Sequence, residues 1–156
     1  MSYLTPSLED YLKAILIINL DKKVVRVKDI VEKLGVKASS VVEAMNNLKD
    51  KDLVNQEKYG YIDLTSEGAK LAKNIYKKHK SLYKFMRSVL GVDINTAEED
   101  ACRIEHYVSK ETLDRIVKFI EFIDNCPEGK PVCLSNFQKF VKNGIHPESC
   151  KKSINN

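Results

Sequence analysis

At 156 residues, with 43 % hydrophobic and 31 % charged residues and a formal net charge of +4, the chain has the composition of a globular protein with one substantial core or two small ones. The mild positive excess permits nucleic-acid binding without establishing it, and with neither a run of ~20 apolar residues nor a signal-peptide core, a cytoplasmic protein with no membrane partner is expected. Its four cysteines, Cys102, Cys126, Cys133 and Cys150, include no Cys-x-x-Cys pair, so reduced thiols or metal ligands are expected rather than a disulfide framework.

Thr5 and Pro6 make a helix start, an N-cap hydroxyl followed by proline at the first helical position, with Glu9 and Asp10 in the early turns. Leu8, Tyr11, Leu12, Ile15 and Leu16 keep the helical period, which predicts a helix to about Leu20 and a turn at Asp21-Lys22-Lys23. Val27, Ile30, Val31 and Leu34 predict a second, short helix that Gly35 can end in a left-handed conformation. After the link Val36-Lys37-Ala38, the stripe Val41, Met45 and Leu48 predicts a third, ending near Lys51. Two short helices joined in this way are a helix-turn-helix pattern. Leu53 to Glu57 and Tyr61 to Leu64 then read as two strands about Lys58-Tyr59-Gly60, a hairpin wing. The order fits a winged helix-turn-helix over roughly residues 6 to 64, a module whose third helix enters the major groove while the wing touches backbone.

Thr65-Ser66-Glu67 opens a long helix with Ala72, Ile75, Tyr76, Leu82, Met86 and Val89 on one stripe, His79 facing inward among them, and Gly91 at its end. A segment from about Thr96 follows. After Ser109 a last helix carries Leu113, Ile116, Val117, Ile120 and Ile123, with Phe119 and Phe122 off the stripe. It is apolar on more than one side, which suits packing against a second subunit. Beyond Asn125 the pattern breaks at Cys126-Pro127 and Gly129-Lys130-Pro131. A short apolar stretch from Leu134 to Val141 and a frayed polar tail are expected.

Within Ala101-Cys102-Arg103-Ile104-Glu105-His106-Tyr107-Val108, the residues Cys102, Glu105 and His106 stand at i, i+3 and i+4. On a helix they fall within an arc of about 100°, beside a separate stripe of Ala101, Ile104 and Val108. A thiolate, a carboxylate and an imidazole on one face suit a transition metal; the alternative is a small core cysteine flanked by two solvated side chains. A fourth ligand must come from farther away. Asp10 and His79 are the candidates, against the simpler roles of a carboxylate at the positive end of a helix dipole and a satisfied core histidine. Cys126, Cys133, Cys150 and His146 could hold a structural zinc, although their spacing, unlike paired zinc knuckles, favours reduced thiols. For DNA, Lys37, Ser39, Ser40 and Glu43 lie where the third helix presents its first turn, and Arg26, Lys28 and Lys58 are candidate phosphate contacts. Glu43 could accept from a cytosine amine or simply be solvated. No nucleophile or general base accompanies the metal-binding triad, which argues against a metalloenzyme.

Over residues 5 to 125 the chain resembles the diphtheria-toxin-repressor and manganese-transport-regulator family of metal-activated repressors. The likeness rests on Thr5 to Leu12, Leu64-Thr65-Ser66-Glu67-Gly68, Lys78-His79, Leu90-Gly91-Val92-Asp93 and, above all, Glu99 to His106. It implies a mainly α protein with a winged helix-turn-helix DNA-binding domain (1–72), a helical dimerisation and metal-binding domain (73–125) and a cysteine-containing tail (126–156). It further implies a homodimer on double-stranded operator DNA, and a primary metal site at Asp10, Cys102, Glu105 and His106. An ancillary site would match His79, with Tyr83 and Glu98 at its other ligand positions. The manganese branch has a second carboxylate where Lys13 stands and a glutamate in place of Cys102, whereas the iron branch has the cysteine but usually a methionine in place of Asp10. A charged lysine cannot ligate and a thiolate softens the site, so a repressor of metal-homeostasis genes activated by Fe2+, with Mn2+ next, is expected. The alternative is a winged-helix regulator of another ligand with a structural metal.

Overall fold

The computed structural model describes residues 4–56, 60–127 and 131–146. Contacts divide the chain between Lys77 and Lys78 into two units, each with its own apolar core.

In the first unit, α1 (Pro6–Asp21) begins as its sequence predicts, with Pro6 in its first turn and the Thr5 hydroxyl accepting from the Leu8 N–H at 3.4 Å. Helix α2 (Val27–Leu34) ends at Gly35, whose φ of 64° is the left-handed geometry expected of it. Helix α3 (Ala38–Asp50) follows directly, and Ala38, expected in the link, is its first residue. Leu12, Ile15, Ile30, Val41, Met45 and Leu48 interlock in the core, the apolar faces of three helices meeting at one centre.

The wing is an antiparallel pair, β1 (Val54–Gln56) and β2 (Ile62–Leu64), with Val54 opposite Leu64 and Gln56 opposite Ile62. Residues 57–59, and with them Lys58, lie outside the described residues. Val25, between α1 and α2, forms a further antiparallel bridge with Ile62, its carbonyl accepting the Ile62 N–H at 2.9 Å. Sequence periodicity gave no sign of this pairing, because a single bridged residue has no period.

The α1–α2 turn is tied by Asp29, which accepts from the Lys22 ammonium at 2.6 Å and from the Arg26 N–H at 2.9 Å. The Lys22 hydrogen bond, helped by that of Arg26 and opposed by burial, holds the Asp29 carboxyl below the usual carboxylate range. A lowered folded-state value means that this stabilisation is complete above the unfolded value near ~3.9 and is lost as pH falls through the folded one. Asp29→Asn is expected to cost about 1 kcal/mol at pH 7 and much less near pH 3, read from urea denaturation at the two pH values. An equal difference at both would show that charge does not hold the turn.

Helix α4 (Ser66–Lys84) starts beneath the wing. The Thr65 hydroxyl donates to the Asp52 carbonyl at 2.7 Å and accepts from the Gly68 N–H at 3.0 Å, while the Thr65 N–H reaches the Leu53 carbonyl at 3.1 Å. Gly68 lies so close to Leu53 that a Cβ there would sit 1.9 Å from the Leu53 carbonyl oxygen.

In the second unit α4 passes into a π turn (Phe85–Leu90) ending at Gly91. Helix α5 (Ile94–Ile104) is capped by Asp93, which accepts from the Asn95 and Thr96 N–H groups at 2.9 and 3.3 Å. Helix α6 (Lys110–Asp124) is capped by Ser109. Leu82, Met86, Ala97 and Ala101 form the centre, with Tyr83, Val92, Val108, Leu113 and Ile116 packed around it. The tail goes beyond expectation: the short apolar stretch read from Leu134 to Val141 lies within a further helix, α7 (Val132–Asn143). Leu134 is buried, and the Gln138 amide donates to the Ser88 carbonyl at 3.1 Å. Apolar residues at 134, 137 and 141 follow the helical period, but of the three only Leu134 is buried.

Candidate metal centre and nucleic-acid interface

Three of the predicted donors, Cys102, Glu105 and His106, lie together at the end of α5. Cys102 sits in its last turn, Glu105 follows the last helical residue in a helical conformation, with its N–H bonded to the Ala101 carbonyl at 3.0 Å, and His106 comes next. The backbone thus keeps the i, i+3, i+4 geometry for one residue past the helix proper. The expected apolar stripe is only partly realised: Ala101 is fully buried and Val108 half-buried, whereas Ile104 is 41 % exposed because the chain leaves the helix there. Donor atoms of Cys102 and Glu105 lie within 4.8 Å of one another, and His106 Nε2 is 3.6 Å from Glu105 Oε1. Glu105 is 1 % exposed. A carboxylate buried so completely is costly unless cationic or hydrogen-bonding partners surround it, and thiol, carboxylate and imidazole together suit a divalent transition ion.

His79, 6 % exposed, occupies the inward position that its stripe predicts. Its Nδ1 lies 2.8 Å from Glu105 Oε2 and its Nε2 3.0 Å from Glu98 Oε1, so both ring nitrogens face carboxylates. Glu98 itself is largely exposed. Tyr83 packs against the apolar centre of the second unit. The sequence offers His79 as a fourth ligand beside Glu105 and, by family resemblance, as a ligand of an ancillary site; the direct contact between His79 and Glu105 is new with the structure. On α1, Asp10 is half-buried and pairs with Lys13, whose ammonium lies 3.2 Å from Asp10 Oδ1. Lys13 is only 7 % exposed, so a cation rather than a second carboxylate is built in beside Asp10. In the tail, Cys126 is half-buried, Cys133 is exposed and the His146 ring lies against Phe140; Cys150 is outside the described residues.

On α3 the exposed residues are Ala38, Ser39, Ser40, Val42, Glu43, Asn46, Asn47, Lys49 and Asp50, while Val41, Ala44, Met45 and Leu48 are buried. Ser39, Ser40 and Glu43 therefore share an outward face, with Lys37 exposed just before the helix. Asn46 and Asn47 extend that face by one turn and were missed. Positions i+3 and i+4 from Glu43 were the available signal, and asparagine is a residue that can pair with adenine in the major groove. Arg26 and Lys28 are exposed at the start of α2.

Residues 3–62 match the family model described as the iron dependent repressor, N-terminal DNA binding domain, and residues 65–134 the one described as the iron dependent repressor, metal binding and dimerisation domain. The chain belongs to the iron dependent repressor family. It is similar to the HTH-type transcriptional regulator MntR of Bacillus velezensis, with 34 % identity over 139 residues covering 89 % of this chain and 96 % of that protein. Among solved structures it is similar to IdeR of T. acidophilum (29 % identity, TM-score 0.68, 85 % of this chain and 61 % of that one). A second is described as the manganese regulator SloR (35 % identity, TM-score 0.67, 80 % and 58 %). The chain spans about three fifths of the length of these two solved structures. The chain is a metal-dependent DNA-binding regulator, not an enzyme, with its wing and helix-turn-helix in the part matched as DNA-binding and Cys102, Glu105 and His106 in the part matched as metal-binding and dimerisation. Among the described residues no helix is long and apolar enough to cross a membrane.

Proposed function

We propose that the protein is a cytoplasmic, homodimeric repressor of metal-homeostasis genes that binds double-stranded operator DNA when Asp10, Cys102, Glu105 and His106 hold one divalent transition ion. The observation that carries this reading is the buried convergence of Glu105 with the Cys102 thiol and the His106 imidazole at the end of α5. Asp10 is the fourth donor by family resemblance. When bound, the ion supplies a Lewis-acid cross-link among these donors. It acts as a corepressor through its greater affinity for the DNA-competent arrangement, and linkage requires operator DNA to tighten metal binding in turn. Ser39, Ser40 and Glu43 read base edges, and Arg26, Lys28, Lys37 and Lys58 contact phosphates. Phe119 and Phe122, on α6 and 44 % and 68 % exposed, belong to the face that meets the second subunit.

Two observations bear on the ion. Cys102 and Lys13 favour Fe2+ and a single-ion site, since a buried ammonium beside Asp10 disfavours a second cation. The relatives, among them one described as a manganese regulator, do not rank iron above manganese and support Mn2+ as the second reading. Anaerobic operator binding titrated separately with Fe2+, Mn2+ and Zn2+ separates the two. Half-maximal binding is expected at lower Fe2+ than Mn2+, and at lower Zn2+ still, following the affinity order of divalent ions. Operator binding of full strength without metal would overturn the corepressor reading. Cys102→Glu combined with Lys13→Glu replaces the thiolate by a hard oxygen donor and the ammonium by a carboxylate. It is expected to shift the Fe2+ to Mn2+ preference about tenfold toward Mn2+, or ~1.4 kcal/mol. An unchanged ratio would mean that these positions do not set selectivity.

A further inference from the structure

We infer that Tyr61 is a positioning residue of the DNA interface, holding the Arg26 guanidinium against the wing so that it is prepared for a backbone phosphodiester. The inference rests on the DNA-binding reading of the first unit. Its geometric basis is the bridge between Val25 and Ile62. Because the pairing is antiparallel, Arg26 and Tyr61 are the next pair in register, and because side chains alternate along extended backbone they point away from the core that Val25 and Ile62 enter. Val25 and Ile62 are 0 % and 2 % exposed, so the register that sets Arg26 against Tyr61 is locked from inside.

The outer pair makes two contacts. Arg26 Cζ lies 5.2 Å from the Tyr61 ring centroid, within reach of a cation–π attraction, and Arg26 Nη2 donates to the Tyr61 hydroxyl at 3.3 Å. Below the side chain, the Arg26 N–H is bonded to Asp29, and its carbonyl accepts the Asp29 N–H at 2.9 Å, so its backbone is fixed at the start of α2. Asp29 also accepts from Lys22, so its charge is neutralised locally and does not compete for the guanidinium. A guanidinium has five N–H donors and Tyr61 takes one, which leaves a planar, exposed fork between the helix-turn-helix and the wing. Restricting the arginine before DNA arrives lowers the ordering cost of the contact. Neither residue type nor spacing marks Tyr61 in the sequence; it is the bridge that brings residue 61 to residue 26.

The experiment is operator binding by the full-length, metal-loaded protein across a KCl series, for wild type, Arg26→Ala, Tyr61→Ala, Tyr61→Phe and the Arg26→Ala/Tyr61→Ala pair. Arg26→Ala is expected to flatten the log–log salt slope by about 0.9, the signature of one lost phosphate contact. Tyr61→Ala is expected to weaken binding about fivefold in the wild-type background and not at all in the Arg26→Ala background, because the tyrosine acts through the arginine. Tyr61→Phe keeps the ring and should retain most of the affinity. Arg26→Lys should keep the salt slope yet lose the coupling to Tyr61, and it serves as the check if Arg26→Ala proves poorly folded. An unchanged slope in Arg26→Ala, or an equal loss from Tyr61→Ala in both backgrounds, overturns the inference while leaving the DNA-binding reading intact. Failure of the wild-type protein to bind operator with any of the three metals overturns both.

Discussion

Glu105→Ala is expected to abolish the response of operator binding to metal. Its carboxylate is buried, with one oxygen 2.8 Å from His79 Nδ1 and the other 3.6 Å from His106 Nε2, which puts it at the centre of the donor cluster. Truncation also removes the carboxylate that His79 and His106 face, at about 2 kcal/mol of stability. Glu105→Gln separates the two effects. The amide keeps the shape and a hydrogen-bonding oxygen toward His79 but is a poor ligand, so the fold should persist while the metal response is lost. His106→Ala should lose that response as well. Metal-dependent and metal-free operator affinities, measured by fluorescence anisotropy beside thermal melts, decide the matter: full metal activation in His106→Ala or in Glu105→Gln would remove that residue from the ligand set.

Gly68→Ala is expected to destabilise the first unit by about 3 kcal/mol or more. In an ordinary helix interior the same change would gain ~1 kcal/mol from helix propensity. Here the added methyl would meet the Leu53 carbonyl oxygen at 1.9 Å and its carbon at 2.9 Å, and both are backbone atoms that no rotamer change can clear. Relief requires α4 to back away from the segment leading into β1, which pulls apart the Thr65 hydrogen bonds to Asp52 and Leu53. Urea denaturation measures the balance, and a variant as stable as wild type would show that the helix start shifts freely. Operator binding should fall with stability, since the wing hangs on the same junction.

What the sequence revealed and what it concealed divide along a physical line. Helices α1 and α2 were legible because their ends carry local chemistry, a threonine and proline at one and a left-handed glycine at the other. Cys102, Glu105 and His106 were legible because one turn of backbone fixes their spacing. Helix α7 was obscured by its start at Pro131, which offers no capping side chain, directly after a proline- and glycine-containing break. The π turn at Phe85–Leu90 has no sequence mark, since the residues that form it also suit an α-helix. The contacts of His79 with Glu98 and Glu105 depend on how separate helices pack, and sequence alone could only place that histidine inward. Lys13 was read as a residue that cannot ligate; its burial beside Asp10 emerged only with the fold.

The bridge from Val25 to Ile62 also constrains the order in which the first unit assembles. A hairpin of two three-residue strands has little independent stability, and its inner residue Ile62 finds its amide partner only after the connection between α1 and α2 has taken shape. The helices can form from local contacts, whereas the wing must await a pairing between distant parts of the chain and bear its loop-closure entropy. The hairpin is therefore expected to fold late, on a helix-turn-helix already in place, so that a chain with only its helices formed still lacks the wing half of the reading head.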